Sequence, residues 1–226
     1  MSGCALGPVG APAPNGWRRG FIRRPVTSAA AAGSGPTVAR SPLPAPLVVL
    51  KIGGSLLSQS GWPRLLMSLV APCPGACCLV VGGGAVVDGL RTLDRAVPQS
   101  PQLMHDLAID AMRLTARLVA VAIGLPLAVA PPESQGTVIL DVPAWLAIGS
   151  RAAALPVGWQ VTSDAIAASV AVEHGGSLVL AKSVPPPPCP DHGDQLAALA
   201  QAGWLDEHFP IAAGPLATIE WAAPAG

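Results

Sequence analysis

Leu47-Val48-Val49-Leu50-Lys51-Ile52-Gly53-Gly54-Ser55 is the stretch that decides how this chain reads. Its apolar residues run without the alternation of a half-exposed strand, which marks a strand buried on both faces. The run ends in glycines and gives way to helical sequence over Leu56–Val70, interrupted near Gly61 and Pro63. The same construction returns downstream, where Cys78-Leu79-Val80-Val81 leads into Gly82-Gly83-Gly84 and then helical Ala85–Ala96. Pro101–Ile123 reads as the longest helix, with Ser100 as N-cap, Pro101 at the first position and Gly124 as the stop. Short strands are expected at Leu127–Ala130 and Thr137–Leu140. A helix opens at Thr162-Ser163-Asp164, with a carboxylate in the first turn where the helix dipole favours it, and closes at Gly175-Gly176. Ser177–Lys182 is a further apolar strand. Pro185–Pro188 then breaks regular structure, Asp194–Ala202 forms a last helix, and Leu216–Trp221 is expected as an edge strand. Strands alternating with helices define an α/β fold, a three-layer αβα sandwich around a mainly parallel open sheet. Ligands of such sheets sit at the carboxyl ends of the strands.

Composition supports one such domain. The 226 residues are 51% hydrophobic and 12% charged, without a tyrosine, so the core is aliphatic. Residues 1–46 carry five arginines and no acid, which leaves 8 basic against 13 acidic residues, a net −5, over 47–226. A mildly acidic body argues against nucleic acid as a partner. The Gly-, Pro-, Ala- and Ser-rich segment 1–46 reads as a disordered tail outside the domain at 47–226. An organellar transit peptide and a later true start are the other readings of that tail. The most apolar stretch, Leu114–Ala130, contains Arg117, Gly124 and Pro126, too broken to span a bilayer. Cytoplasmic localisation is expected. The five cysteines show no metal-ligand spacing and read as small buried hydrophobes; no metal site is expected in the protein.

The chain has two lysines, Lys51 and Lys182, each at the carboxyl end of an apolar strand. A lysine inside a sheet is costly unless paired or facing a ligand. Elsewhere the positive charge is arginine, so these positions ask for a compact ammonium. Gly53-Gly54-Ser55 and Gly82-Gly83-Gly84 are bare-backbone turns able to approach an anion closely. Two such turns on adjacent strand ends suit a donor phosphate facing an acceptor. The P-loop, dinucleotide and nucleophile-elbow patterns are all missing. His105 reads either as an acceptor contact or as a helix-face histidine, Asp88 and Arg91 as a surface pair, and Trp159 as lying near the site.

Taken together, Lys51-Ile52-Gly53-Gly54-Ser55, Val81-Gly82-Gly83-Gly84, Thr162-Ser163-Asp164 and Leu180-Ala181-Lys182 resemble the amino acid kinase superfamily, which includes acetylglutamate, aspartate, uridylate and isopentenyl phosphate kinases. The segments Leu155–Asp164, His105–Met112 and Leu205–Pro210 most resemble the aminomethylfuran-methyl-phosphate kinase branch of methanofuran biosynthesis. The resemblance implies transfer of the γ-phosphoryl group of ATP, with Mg²⁺, to a small phosphorylated acceptor; a carboxylate or another phosphate as acceptor and a non-catalytic binding relative are the alternatives. It implies catalytic roles for Lys51, Asp164 and Lys182. Gly53, Gly54, Ser55, Lys182 and Ser183 would contact the nucleotide; Gly82, Gly83, Gly84 and His105 would border the acceptor. It also implies a homo-oligomer. One departure stands out: Ser183-Val184-Pro185-Pro186-Pro187-Pro188 replaces the Asp-Gly-containing turn that the family places beside the nucleotide.

Overall fold

The computed structural model describes residues 16–22, 46–73, 75–189 and 194–225. A short strand β1 (Trp17–Ile22) precedes β2 (Val48–Ile52), a 3-10 turn over Gly54–Ser58, and α1 (Trp62–Val70). Then follow β3 (Ala76–Val81), α2 (Gly84–Ala96), α3 (Pro101–Ile123), β4 (Leu127–Ala128), β5 (Gly136–Leu140) and α4 (Val142–Ala147). After a 3-10 turn at Arg151–Ala154, the chain completes α5 (Ser163–Glu173), β6 (Ser177–Ala181), α6 (Gln195–Gln201), α7 (Phe209–Ala212) and β7 (Ile219–Pro224). The seven strands form one sheet in the order β1-β7-β6-β2-β3-β5-β4. Every pairing is parallel except β1 with β7.

The helices cover both faces. Leu50, Ile52, Leu79 and Val81 pack with Leu66 and Leu69 of α1 and with Ala116 and Val119 of α3. Val49, Cys78, Val80, Leu178 and Leu180 pack with α5, most of whose residues are buried. That accounts for the unbroken apolar strands: in β2 and β3 alternate residues serve opposite cores. Helix α3 begins where expected. Ser100 Oγ accepts the Leu103 N–H at 3.2 Å, and Gly124 ends the helix at φ +70°. Helix α4, unanticipated, is capped by Asp141, whose Oδ1 accepts from Ala144 N at 3.2 Å and from Arg113 Nε at 2.9 Å. Cys77, Cys78 and Cys189 are buried, and burial pushes the Cys78 thiol up to about 12. Among the described residues, no helix is long and apolar enough to cross a membrane.

Two expectations need correction. Part of segment 1–46 belongs to the fold: Trp17–Ile22 pairs residue for residue with β7, from Trp17 with Pro224 to Ile22 with Ile219. Trp17 is fully buried, and its Nε1 donates to Ser68 Oγ at 3.0 Å and Leu65 O at 3.2 Å. Averaging composition over 46 residues hid a strand of six whose partner lies about 200 positions away. Residues 1–15 and 23–45 of that segment lie outside the described residues. Consequently the last strand is not an edge: β7 lies between β6 and β1, and Arg19 pairs with Glu220 at 3.2 Å.

Candidate functional site

Strand parity aims both lysines at the same face. In β2, Val49 belongs to the α5-side core and Leu50 and Ile52 to the other, so Lys51, two residues after Val49, faces α5. In β6 the same parity runs Leu178, Leu180 and then Lys182. The register pairs Lys51 with Leu180, placing the lysines two rungs apart on neighbouring parallel strands. Asp164, in the first turn of α5, bridges that gap. Its Oδ1 lies 2.6 Å from Lys51 Nζ in an ionic contact, and its Oδ2 accepts from Lys182 Nζ at 2.7 Å. Lys182 also donates to the Trp204 carbonyl and lies 4.6 Å from the centroid of the Trp204 ring.

This cluster stands at the point where the sheet reverses direction. From β2 the chain proceeds to β3 on one side; from β6 it proceeds to β7 on the other. The charges are deeply enclosed, with side-chain exposures of 7% for Lys51, 5% for Asp164 and 14% for Lys182. Burial alone would raise the Asp164 carboxyl, but the Lys51 and Lys182 ammoniums outweigh it and hold the group below the usual carboxylate range. Lys182 moves down to about 8: burial and the neighbouring Lys51 charge outweigh the attraction of Asp164. One carboxylate cannot offset two buried ammoniums.

The glycine turns abut each other above this cluster. Gly53 N–H donates to Ala181 O at 2.7 Å and Gly82 N–H to Ile52 O at 2.9 Å, tying each turn to the neighbouring strand. A Cβ on Gly54 would lie 2.2 Å from Gly84 N, and Gly84 itself has φ +53°, so backbone packs on backbone. The glycines therefore serve turn-to-turn packing as well as any ligand. A Cβ on Gly53 would lie 3.0 Å from Ala181 O and 3.7 Å from Lys51 Nζ, so this turn too packs closely on the neighbouring strand. Ser55 Oγ and Ser183 Oγ, both predicted nucleotide contacts, are 2.9 Å apart on the exposed side.

A cavity of about 250 Å³ opens beside these turns, lined by Gly54, Ser55, Gly82, Gly83, Gly84, His105, Met112, Trp159, Thr162 and Ser163. The predicted acceptor residues thus share one wall, whereas Lys51, Asp164 and Lys182 are outside it. Trp159 is pinned over α2: its Nε1 donates to Asp94 Oδ2 at 2.8 Å, and the Arg91 guanidinium stacks 5.0 Å from its ring centroid. That bond and the Gln99 N–H hold the Asp94 carboxyl below its ordinary value. The Asp88–Arg91 surface pair is present at 3.2 Å, and both residues also line the cavity.

Sequence reasoning missed Trp204, Asp206 and Asp94. Asp206 Oδ2 accepts from Thr162 N at 3.0 Å, Thr162 Oγ1 at 2.8 Å and Ala165 N at 3.0 Å. Burial and the nearby Asp164 raise its pKa. Its segment, Leu205–Pro210, carries part of the family resemblance, but no role fell to Asp206 because Thr162-Ser163 already offered a cap for α5.

No family model and no curated protein matches the sequence. Similarity is found among solved structures. The uridylate kinase of Archaeoglobus fulgidus matches at 20% identity over 79% of this chain and 90% of that one, with a TM-score of 0.50. The UMP kinase of Ureaplasma parvum matches at 13% identity over 78% of this chain and 98% of that one, with a TM-score of 0.46. At such identity the first likeness is one of fold: a mixed α/β chain with a seven-stranded, mostly parallel sheet, built like a uridylate kinase.

Proposed function

We propose that this chain is an ATP-dependent kinase that passes the γ-phosphoryl group to a small phosphorylated acceptor, of the aminomethylfuran-methyl phosphate kind used in one-carbon cofactor biosynthesis. The observation that carries the kinase reading is the meeting of both lysines on the single buried carboxylate of Asp164, where the strand order reverses. Two ammoniums share one bonded carboxylate in a low-dielectric setting, and an anionic ligand would add compensating charge.

In this reading Gly53, Gly54, Ser55 and Ser183 receive the donor phosphates, and the acceptor occupies the cavity beside Gly82, Gly83, Gly84 and His105. An oxygen of the acceptor phosphate bonds to the γ-phosphorus while the bond from that phosphorus to the β–γ bridging oxygen breaks. ADP and a diphosphorylated product leave. Such a transfer needs positioning and charge neutralisation more than a covalent nucleophile. Lys51 stabilises the phosphoryl group in flight, Lys182 the donor phosphates, and Asp164 fixes both ammoniums. Both Asp164 oxygens are engaged by lysines, and among the described residues no group of three or more His, Cys, Asp or Glu is placed to hold a metal ion. Mg²⁺ would therefore ride on the nucleotide phosphates, where it neutralises charge on the β and γ oxygens.

The fold of the Archaeoglobus fulgidus protein favours UMP as a second candidate acceptor. The test is ADP release from MgATP with aminomethylfuran-methyl phosphate, isopentenyl phosphate, UMP and, as a carboxylate control, acetylglutamate. Turnover on the furan phosphate supports the reading, and turnover on UMP replaces the acceptor. Silence on all four from folded protein sinks the kinase and leaves a binding relative, in keeping with the proline run that follows Lys182.

A further inference from the structure

The segment Trp204-Leu205-Asp206, between α6 and α7, touches both ends of the charged cluster although none of it lines the cavity. All three residues are buried. At one end, Trp204 gives Lys182 a carbonyl acceptor and an aromatic face. At the other, the Asp206 carboxylate holds the N–H groups of Thr162 and Ala165, the residues that bracket Ser163 and Asp164 at the start of α5. It also accepts a hydrogen bond from the Thr162 hydroxyl, whose oxygen in turn accepts the Asp164 N–H at 3.2 Å. The first turn of a helix leaves N–H groups without intrahelical partners, and here a side chain 41 to 44 positions away supplies the acceptor.

Capping alone does not account for the choice of a carboxylate. Asp206 Oδ1 is buried and, among the described residues, has no hydrogen-bond partner. Burying a half-satisfied carboxylate is unfavourable compared with a neutral cap such as Asn or Ser. The charged groups acting on the Lys182 ammonium are Lys51 from β2, Asp164 from α5 and, most weakly, Asp206 from this segment, with the Trp204 ring 4.6 Å away. Lys51 and burial oppose the ammonium; Asp164 and Asp206 favour it.

We propose that Trp204–Asp206 is the positioning segment of the site, fixing Lys182 through Trp204 and fixing Asp164 by holding the first turn of α5 through Asp206. The catalytic consequence rests on the kinase reading; the positioning does not.

Because the chain has two lysines, protein labelled with ¹³C at lysine Cε gives two lysine signals, and Lys51→Arg assigns them. The wild-type Lys182 signal is expected to titrate below the ordinary lysine range, near pH 8. Asp206→Ala removes the acceptor that holds the first turn of α5, so Asp164 loosens from Lys182, the Lys182 midpoint moves to lower pH, and turnover falls by about 10²-fold through misplacement of the lysines. A residue that only supported the fold would lower the melting temperature and leave that midpoint unmoved. Folded Asp206→Ala protein with an unshifted Lys182 midpoint overturns the proposal. Should that variant fail to fold, Trp204→Leu decides: loss of the ring face moves the midpoint down, and an unmoved midpoint is again fatal. A Lys182 midpoint that shifts in the variant, with wild-type protein that phosphorylates no acceptor, removes the kinase reading and leaves the positioning intact.

Discussion

Replacing Asp164 by Asn tests the heart of the site. The substitution keeps the shape of the side chain and removes the charge shared by Lys51 and Lys182, at 2.6 and 2.7 Å. All three side chains are 14% exposed or less, so solvent screens little of the effect. Removing one partner of a buried ion pair costs about 3–5 kcal/mol, because an uncompensated charge stays behind. In a chain of this size each kcal/mol moves the melting temperature by about 2–4 °C, so a fall of roughly 6–20 °C is expected. The assay is calorimetric melting at pH 7, with Lys51→Met and the double variant alongside. Lys51→Met leaves a one-to-one Lys182–Asp164 pair and should melt near the wild type, while turnover drops roughly 10²–10³-fold. The double variant should lose less stability than the two single losses summed, since one lysine without a counter-ion is less costly than two. Asp164→Asn protein melting within about 2 °C of the wild type would refute the account of one carboxylate shared by two buried ammoniums.

Further outcomes follow from the same geometry. The Lys182 pKa of about 8 lies below its ordinary 10.5, so between those values the unfolded chain binds more protons than the native one. This group's contribution to stability therefore rises with pH across that window, while kcat should fall as the ammonium is lost; paired melting and rate profiles check the opposition. On the acid side, Asp164 has a depressed pKa, so its contribution is present above the unfolded carboxyl value and is lost as pH falls through the folded one. Gly54→Ala would place a Cβ 2.2 Å from Gly84 N and should destabilise by about 1–3 kcal/mol or more, whereas Gly89→Ala, exposed within α2 and meeting nothing within 4 Å, should stabilise by roughly 0.5–1 kcal/mol; urea unfolding separates them. Trp17→Ala should cost about 3–5 kcal/mol by chemical denaturation, and a loss below 1 kcal/mol would remove β1 from the fold's essential parts.

The sequence by itself determined the layers and the ends where chemistry can sit. Unbroken apolar strands ending in glycine, and caps such as Ser100 and Thr162, are local signals, because burial on both faces and orphan N–H groups are decided within a few residues. It also singled out both lysines, since an ammonium at the end of a buried strand needs a counter-charge. Only the tertiary structure decided which groups answer that need. The two-rung offset of β2 and β6 brings Lys51 and Lys182 to one Asp164, and residues some 20 to 40 positions further along, Trp204 and Asp206, hold them there. Likewise β1 exists because β7 offers it an antiparallel edge, and Gly54 and Gly84 must be glycines because two turns touch. Such long-range pairings leave no local period to read: their free energy comes from burial and hydrogen bonds between segments whose separate sequences are indifferent to one another.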